Sequence, residues 1–200
     1  MRRYRLATAP LLLPTPVVVP SQAPVKSTVP TVCFLARWDR RKRPERFLEL
    51  AREFPRVRFI AAGVGHDRHW DDSLRRRYGR LANLSLPGFI DQFASDRLSG
   101  LLGESWVLVN TSLREGMPTS FLEAMAMRCA LLSRVNPDSV AARFGYHAGH
   151  DDFAIGLATL LADDAWRDRG EGGYRYVSDG FELERAIQRH VDAYRELLPS

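Results

Sequence analysis

Two glutamates, Glu115 and Glu123, stand in the segment of the sequence with the strongest chemical signal, residues 112–126. Glu115 lies in a loop that contains glycine and proline, and Glu123 lies in the helix predicted to follow it. Free backbone N–H groups and the helix dipole make the start of such a helix suitable for binding an anion. Gly116 lets a ligand approach the backbone closely. The two carboxylates can accept hydrogen bonds from sugar hydroxyls.

The same residues also have a purely structural interpretation. Ser120 and Glu123 fit a capping box, in which the glutamate side chain bonds back to the start of the helix. Glu115 alone could be a solvated loop residue. The spacing by itself leaves both interpretations open.

A second candidate site follows the first predicted strand, where Arg37 precedes a run of cations that ends before Pro44. Arg37 and Lys42 could clamp a diphosphate, because the fork of an arginine matches the geometry of phosphate oxygens. The alternative is a basic turn whose charges are solvated.

Two weaker patterns also follow predicted strands. Gly63 and Gly65 form either a tight turn or a close approach to a ligand, and residues 86–90 either turn or offer backbone groups to a base edge. The five histidines show no metal-ligand pattern, although His66 and His69 share a polar loop. The sequence shows no Ser–His–Asp or Cys–His arrangement, and we expect no metal.

Strands and helices alternate along most of the chain. Strands are predicted at 31–38, 57–62, 84–86, 107–110 and 130–133, and helices between them at 44–54, 70–82, 96–102 and 119–128. From about residue 138 the pattern is helical throughout, with helices predicted at 139–144, 152–161, 164–177 and 181–198. This order predicts an α/β fold, a single Rossmann-like domain whose parallel sheet carries helices on both faces. Ligands of such sheets bind beyond the carboxyl ends of the strands.

Composition favours one globular domain with a tail. The 200 residues are 45% apolar and 26% charged, and the net charge is +5. The arginines are dispersed through amphipathic segments, so we expect no nucleic-acid partner. Residues 1–28 are predicted to be a proline-rich tail or linker remnant, and the folded domain is placed at 29–200. The basic and apolar start resembles a secretory signal only crudely, because prolines interrupt it.

Cys33 and Cys129 each lie in an apolar run, which predicts two buried free thiols. Their positions form neither a disulfide framework nor a zinc motif. We therefore expect a cytoplasmic protein, with peripheral attachment to a membrane left open. No apolar stretch is long enough to span a bilayer.

Taken in order, these motifs resemble the C-terminal, donor-binding domain of retaining glycosyltransferases of family four (group 1), which have the GT-B fold. The strand-end Arg37 and Lys42 come first, and the glycine turn and the Pro-Gly-Phe segment follow. The motif of two glutamates with seven residues between them comes last, followed by Ala-Met-Ala at 124–126. The resemblance covers about residues 30–198.

The resemblance implies a role for each motif. Glu123 would hold the ribose hydroxyls of the donor nucleotide, and Glu115 would contact the donor sugar. Arg37 and Lys42 would stabilise the diphosphate leaving group, so that no metal or other cofactor is expected. The donor would be a UDP-, GDP- or ADP-sugar. The other donor-binding residues implied by the resemblance are Gly63, Gly65, Gly88, Phe89, Gly116, Met117, Pro118, Thr119 and Ser120.

The chain also departs from the family pattern. Arg128 and Ala130 stand where glycine and proline are common, and residues 136–139 replace a glycine pair. We expect the N-terminal, acceptor-binding domain of a GT-B enzyme to lie outside this chain. We therefore expect the chain to be half of an enzyme that works with a glycan or lipid-linked acceptor and a separate N-terminal domain. The final helix would normally pack on that domain, which predicts a partly exposed apolar face.

Two other functions compete with this one. The chain could be a noncatalytic module that binds a nucleotide sugar, or an inactive fragment. It could also be an unrelated Rossmann-like binding protein.

Overall fold

A computed structural model describes residue 11 and residues 13–197 of the chain. A six-stranded sheet with the order β3-β2-β1-β4-β5-β6 forms its centre, and every neighbouring pair of strands is parallel. The strands are β1 (Thr31–Leu35), β2 (Arg58–Ala62), β3 (Leu84–Gly88), β4 (Val107–Asn110), β5 (Ala130–Ser133) and β6 (Gly145–His147). The predicted α/β class and parallel sheet are confirmed.

Eight α-helices accompany the strands in the described part of the chain. They are α1 (Pro44–Glu53), α2 (Arg68–Tyr78), α3 (Arg97–Glu104), α4 (Thr119–Ala126), α5 (Val140–Arg143), α6 (Phe153–Leu161), α7 (Ala165–Gly180) and α8 (Leu183–Leu197). Short 3-10 turns stand at Pro137–Ser139 and Ala162–Asp164. None of the described helices is long and apolar enough to cross a membrane.

The predicted helical C-terminal region is wrong at one place, because β6 follows α5 and closes the sheet at its edge. Gly145 pairs with Leu131 of β5, and a β-carbon at Gly145 would collide with the backbone of Leu131. A strand of three residues is too short to show an alternating pattern, and the helical pattern of the flanking residues therefore predicted no strand here. The helix predicted at 139–144 is reduced to the four residues of α5.

Helices pack on both faces of the sheet and bury two apolar clusters. On one face, α1 places Phe47 between Phe34 and Phe59, with ring centroids 5.4 and 5.2 Å apart. On the other face, α3, α4 and α5 cover a cluster that contains both cysteines. Cys33 and Cys129 are free and fully buried, as predicted, and burial raises the pKa of both thiols.

The segment before β1 lies in an extended conformation against the face covered by α3 and α4. Val17 is buried, and its N–H donates to the carbonyl of Phe181 at 2.9 Å. The ammonium of Lys26 donates to the carbonyls of Ser105 at 2.5 Å and Met127 at 2.6 Å, near the ends of two helices. The domain boundary at residue 29 stays a prediction. The crude secretory signal falls mostly on residues 1–10 and 12, outside the described residues.

Candidate functional site

A pocket of about 480 Å³ opens at the carboxyl ends of β1, β2 and β3. Residues 35–36 and 62–64 line it at the strand ends, and residues 89–90 form one rim. Ser120 and Glu123 of α4 close it from the side. A ligand site was predicted at this edge of the sheet, because parallel strands present their carboxyl ends together there.

Glu123 contributes a carboxylate with no hydrogen-bond or ion-pair partner among the described residues. Helix α4 begins at Thr119, with Pro118 as its N-cap and no side-chain capping bond. The capping box considered for Ser120 and Glu123 is therefore not formed. Burial raises the pKa of Glu123 above its ordinary value, because desolvation penalises the charged form. An unpartnered, partly buried carboxylate of this kind is suited to accept hydrogen bonds from a ligand's hydroxyls.

Arg37 stands at the mouth of the same pocket. Its guanidinium donates to one carboxylate oxygen of Asp39 from Nε at 3.0 Å and from Nη2 at 2.8 Å. The arginine side chain is 58% exposed, so water screens this ion pair strongly. Asp39 therefore holds Arg37 at the rim. A phosphate could replace Asp39 as the acceptor of these hydrogen bonds at a small cost in free energy.

The glycines after β2 bring the strand ends together. Gly63 has a φ of 137°, and a β-carbon there would collide with the carbonyl oxygen of Ala36. Its N–H donates to the carbonyl of Gly88 at 2.7 Å, and Gly63 also lines the pocket. The N–H of Gly65 donates instead to Asp71 at 2.9 Å, and Gly65 does not line the pocket. The geometry favours the tight-turn interpretation for Gly65. Gly63 also takes part in a turn, but in addition it lines the pocket.

The Pro-Gly-Phe segment ends β3 and continues into the pocket rim. Gly88 has a φ of 79°, which glycine adopts without strain. Phe89 follows it, lines the pocket and is 70% exposed. A large aromatic ring left in water at a pocket mouth is available to stack on a flat ligand group.

The structure brings together Lys42 and Glu115, which are 73 positions apart in the sequence. The ammonium of Lys42 forms an ion pair with the carboxylate of Glu115, and both side chains are mostly buried. Lys42 follows β1 and Glu115 follows β4, so the adjacent strands place the two loops side by side. Neither residue lines the pocket described above.

The loop between Glu115 and α4 leaves backbone groups accessible. A β-carbon at Gly116 would meet nothing within 4 Å. The N–H groups of Thr119 and Ser120, in the first turn of α4, have no acceptor among the described residues. Thr119 lines a neighbouring cavity of about 520 Å³, which also reaches Glu123. Met117 is half-buried and packs against the core.

Sequence reasoning missed a cluster of three charged side chains on the other side of β1. Asp151, just after β6, accepts hydrogen bonds from Arg43 at 2.6 and 2.8 Å and from Arg134 at 3.0 Å. Arg43 and Asp151 are 108 positions apart, and no local pattern marks their pairing. Within the part of the chain that is described, no group of three or more His, Cys, Asp or Glu side chains could hold a metal ion.

The family of the chain follows from a match of its sequence to a family model. The model for glycosyl transferases group 1 matches residues 20–144, more than half of the chain. The chain belongs to this family. No curated protein sequence matches it. Family membership excludes the interpretation as an unrelated Rossmann-like binding protein.

Solved structures agree with this assignment. Sucrose-phosphate synthase from Thermosynechococcus elongatus is 22% identical with a TM-score of 0.79, over 94% of this chain and 52% of that protein. A mutant of TarM from S. aureus, solved with fondaparinux, alpha-GlcNAc-glycerol and UDP, is 18% identical with a TM-score of 0.71, over 88% and 38%. The C-terminal domain of LpcC, a group 1 family protein from Francisella tularensis, is 20% identical with a TM-score of 0.62, over 80% and 89%.

The coverage of these structures shows which part of a glycosyltransferase the chain resembles. The chain spans about half or less of the whole enzymes but most of the isolated C-terminal domain. At such identities the likeness establishes the fold, and the fold is that of a C-terminal GT-B domain, as predicted.

Proposed function

We propose that this chain binds the donor in the transfer of a glycosyl group from a nucleoside-diphosphate sugar to an acceptor, with retention of configuration. The observation that carries the proposal is the Glu123 carboxylate, which has no partner among the described residues and lies in a pocket with an exposed arginine at its mouth. Membership of the group 1 family supports it. The UDP in the TarM complex is further support from a protein of the same fold.

The nucleoside occupies the pocket at the ends of β1, β2 and β3. Its ribose hydroxyls donate to Glu123, which exchanges a desolvated, unpaired state for charge-assisted hydrogen bonds. The ring of Phe89 stacks on the base, as aromatic side chains do on nucleobases in open grooves. Arg37 turns from Asp39 to the diphosphate.

The diphosphate and the sugar extend from the pocket toward Lys42 and Glu115. Lys42 stabilises the negative charge that develops on the leaving diphosphate, and the start of α4 adds free N–H groups. Gly116 leaves room for the ligand beside the backbone. Glu115 accepts hydrogen bonds from sugar hydroxyls. In the ligand-free chain the two side chains neutralise each other, so donor binding replaces one ion pair by contacts to the ligand.

The acceptor is a glycan or a lipid-linked sugar held by a separate N-terminal domain. Helix α8 offers a surface for that domain, since it buries Ala186 and Ala193 yet exposes a stripe of larger apolar side chains. The exposed residues are Leu183, Ile187, Tyr194 and Leu197. The partly exposed apolar face expected from the sequence is present. We propose that transfer requires both domains.

Calorimetric titration of the chain with UDP, GDP and ADP tests the donor site. We expect saturable binding of one nucleotide, which names the base, and its loss in Glu123→Ala and Arg37→Ala. Glu53→Ala and Arg56→Ala are matched controls, because both residues are exposed and neither lines the pocket. A folded chain that binds none of the three nucleotides contradicts the proposal.

The ion pair of Lys42 with Glu115 favours a second candidate function, because both groups already satisfy each other. In this alternative the chain binds a nucleotide sugar without transferring it, as a module that regulates a partner. Mixing the chain with an N-terminal glycosyltransferase domain distinguishes the two. Turnover that disappears with Glu115→Gln supports the transferase, whereas nucleotide binding without turnover supports the module.

A further inference from the structure

Asp151 accepts hydrogen bonds from two arginines that lie in the loops after two different strands, β1 and β5. Both carboxylate oxygens accept hydrogen bonds from the fork of Arg43, at 2.6 and 2.8 Å, and one of them also accepts from Nε of Arg134 at 3.0 Å. Each arginine continues to a backbone carbonyl after β4. Arg43 donates to Thr111 at 2.9 Å, and Arg134 donates to Leu113 at 3.4 Å. One carboxylate thus ties the ends of β1, β4, β5 and β6 together.

The same contacts hold the backbone that carries Lys42 and Glu115. The hydroxyl of Thr111 donates to the carbonyls of Lys42 at 2.6 Å and Arg43 at 2.9 Å. The N–H of Leu113, two positions before Glu115, donates to the carbonyl of Arg41 at 2.9 Å. The loops after β1 and β4 are therefore joined on both sides of Lys42, at positions that precede Glu115 by two and four residues.

Three features indicate that the sequence specifies this arrangement. Arg43 and Asp151 have φ values of 50° and 61°, in the left-handed region that non-glycine residues adopt at an energetic cost. The hydrogen bond from Arg43 lowers the pKa of Asp151, and burial raises it in part, so the carboxyl stays charged. The side chain of Arg43 is only 12% exposed, which makes its pairing with a carboxylate necessary.

We infer that Asp151 is a positioning residue that, through Arg43 and Arg134, places Lys42 and Glu115 where the diphosphate and sugar of the donor bind. The identity of that ligand rests on the proposed function. Asp151 itself accepts hydrogen bonds from Arg43 and Arg134 and does not line the pocket. Its substitution should change how Lys42 is held, and should weaken the binding of a diphosphate more than that of a nucleoside.

Lysine NMR tests the first part without any ligand. The chain has two lysines, Lys26 and Lys42, so selective lysine labelling gives two side-chain signals. In Asp151→Asn we expect the Lys42 signal to move and the Lys26 signal, held by the carbonyls of Ser105 and Met127, to stay. An unchanged Lys42 signal overturns the inference.

Glu104→Gln is the matched control. Glu104 forms a comparable bidentate pair with Arg58, at 2.8 and 3.0 Å, where β2 begins and far from the strand ends that carry the site. This variant loses one carboxylate charge, as Asp151→Asn does, and should leave the Lys42 signal in place. A shift of equal size in both variants means a general loosening of the fold and also overturns the inference.

Calorimetry tests the second part, with UDP, GDP and ADP compared with uridine, guanosine and adenosine. In Asp151→Asn we expect the affinity for the preferred nucleoside diphosphate to fall about tenfold, with its nucleoside changed by less than about twofold, as for groups that orient a binding residue. Equal losses for both ligands overturn the assignment to the diphosphate. If the unsubstituted chain binds none of them, the proposed function fails, and the Lys42 signal still decides whether Asp151 positions that lysine.

Discussion

The two sides of β1 use their charged side chains in opposite ways. On the side of β2 and β3, Glu123 has no partner among the described residues and Arg37 is held only by a partly exposed aspartate. On the side of β4, β5 and β6, Lys42 pairs with Glu115, and Arg43 shares Asp151 with Arg134. Both sides lie at the carboxyl edge of one sheet. On the first side a ligand could bind without breaking a buried ion pair, whereas on the second side the charged groups are paired within the protein.

This contrast has a physical basis. A half-buried carboxylate without a donor is unfavourable in the free protein, and a ligand that supplies hydroxyls relieves that cost on binding. The network of Arg43, Asp151 and Arg134 is satisfied within the protein, and it fixes the backbone that carries Lys42 and Glu115. The first arrangement supplies affinity, and the second supplies the geometry of the loops.

The largest expected effect concerns stability and tests whether the turn at Gly63, beside the pocket, requires glycine. In Gly63→Ala the new β-carbon collides with the Ala36 carbonyl, and residue 63 has a positive φ that alanine adopts only with strain. We therefore expect the free energy of unfolding to fall by about 3 kcal/mol or more. Gly116→Ala meets no neighbouring atom and should change stability by less than about 0.5 kcal/mol. Urea denaturation measures both. Equal midpoints for the two variants would show that the turn tolerates a side chain.

Removing a carboxylate from each side compares them directly. Asp151→Ala leaves the mostly buried guanidinium of Arg43 without its carboxylate and should cost about 1–3 kcal/mol of stability. Glu123→Ala removes a group that has no partner among the described residues and should cost less than about 1 kcal/mol. Denaturant titration of both variants at neutral pH gives the comparison, and a larger loss for Glu123→Ala would reverse the roles of the two sides.

The third prediction concerns affinity on the open side. Phe89→Ala should weaken nucleotide binding by about 1–2 kcal/mol, because the ring no longer stacks on the base. Stability should hardly change, since Phe89 is 70% exposed. Phe93→Ala is the control, as Phe93 is 91% exposed and lies outside this pocket. Calorimetry measures the nucleotide affinity of both variants. Equal affinities would mean that Phe89 does not take part in nucleotide binding.

The smallest effect is a dependence of stability on pH. Burial raises the pKa of Glu123 above its ordinary value of 4.5, so the folded chain binds this proton more readily than the unfolded chain. The contribution of Glu123 is therefore most favourable below the unfolded pKa and is lost as pH rises through the folded pKa. We expect Glu123→Gln to gain stability relative to the original chain between pH 4 and pH 7, within about 1 kcal/mol. Denaturation at both pH values measures this, and a change of the opposite sign would indicate a hidden cationic partner.

Much of the fold could be predicted from local patterns. The alternation of strands and helices and the burial of Cys33 and Cys129 follow from short-range periodicity and composition. The exposed apolar face of α8 was expected from the resemblance to group 1 glycosyltransferases. β6 could not be predicted in this way, because its three residues become a strand only by pairing with β5.

The same distinction, between local patterns and tertiary contacts, applies to the candidate site. The sequence alone placed Arg37, Glu115 and Glu123 after or near strand ends, since residue type and order are local properties. The spacing of Ser120 and Glu123 fitted both a capping box and a ligand site, and the start of α4 at Thr119, with no side-chain capping bond, excludes the capping box.

The sequence by itself determined the class of the fold, the order of its motifs and the kinds of groups at the sheet edge. Tertiary structure decided which of those groups are paired and which have no partner in the described part of the chain. Lys42 meets Glu115 across 73 positions, and Arg43 meets Asp151 across 108. Contacts at such separations depend on how parallel strands lie side by side, and no periodicity within a single segment contains that information.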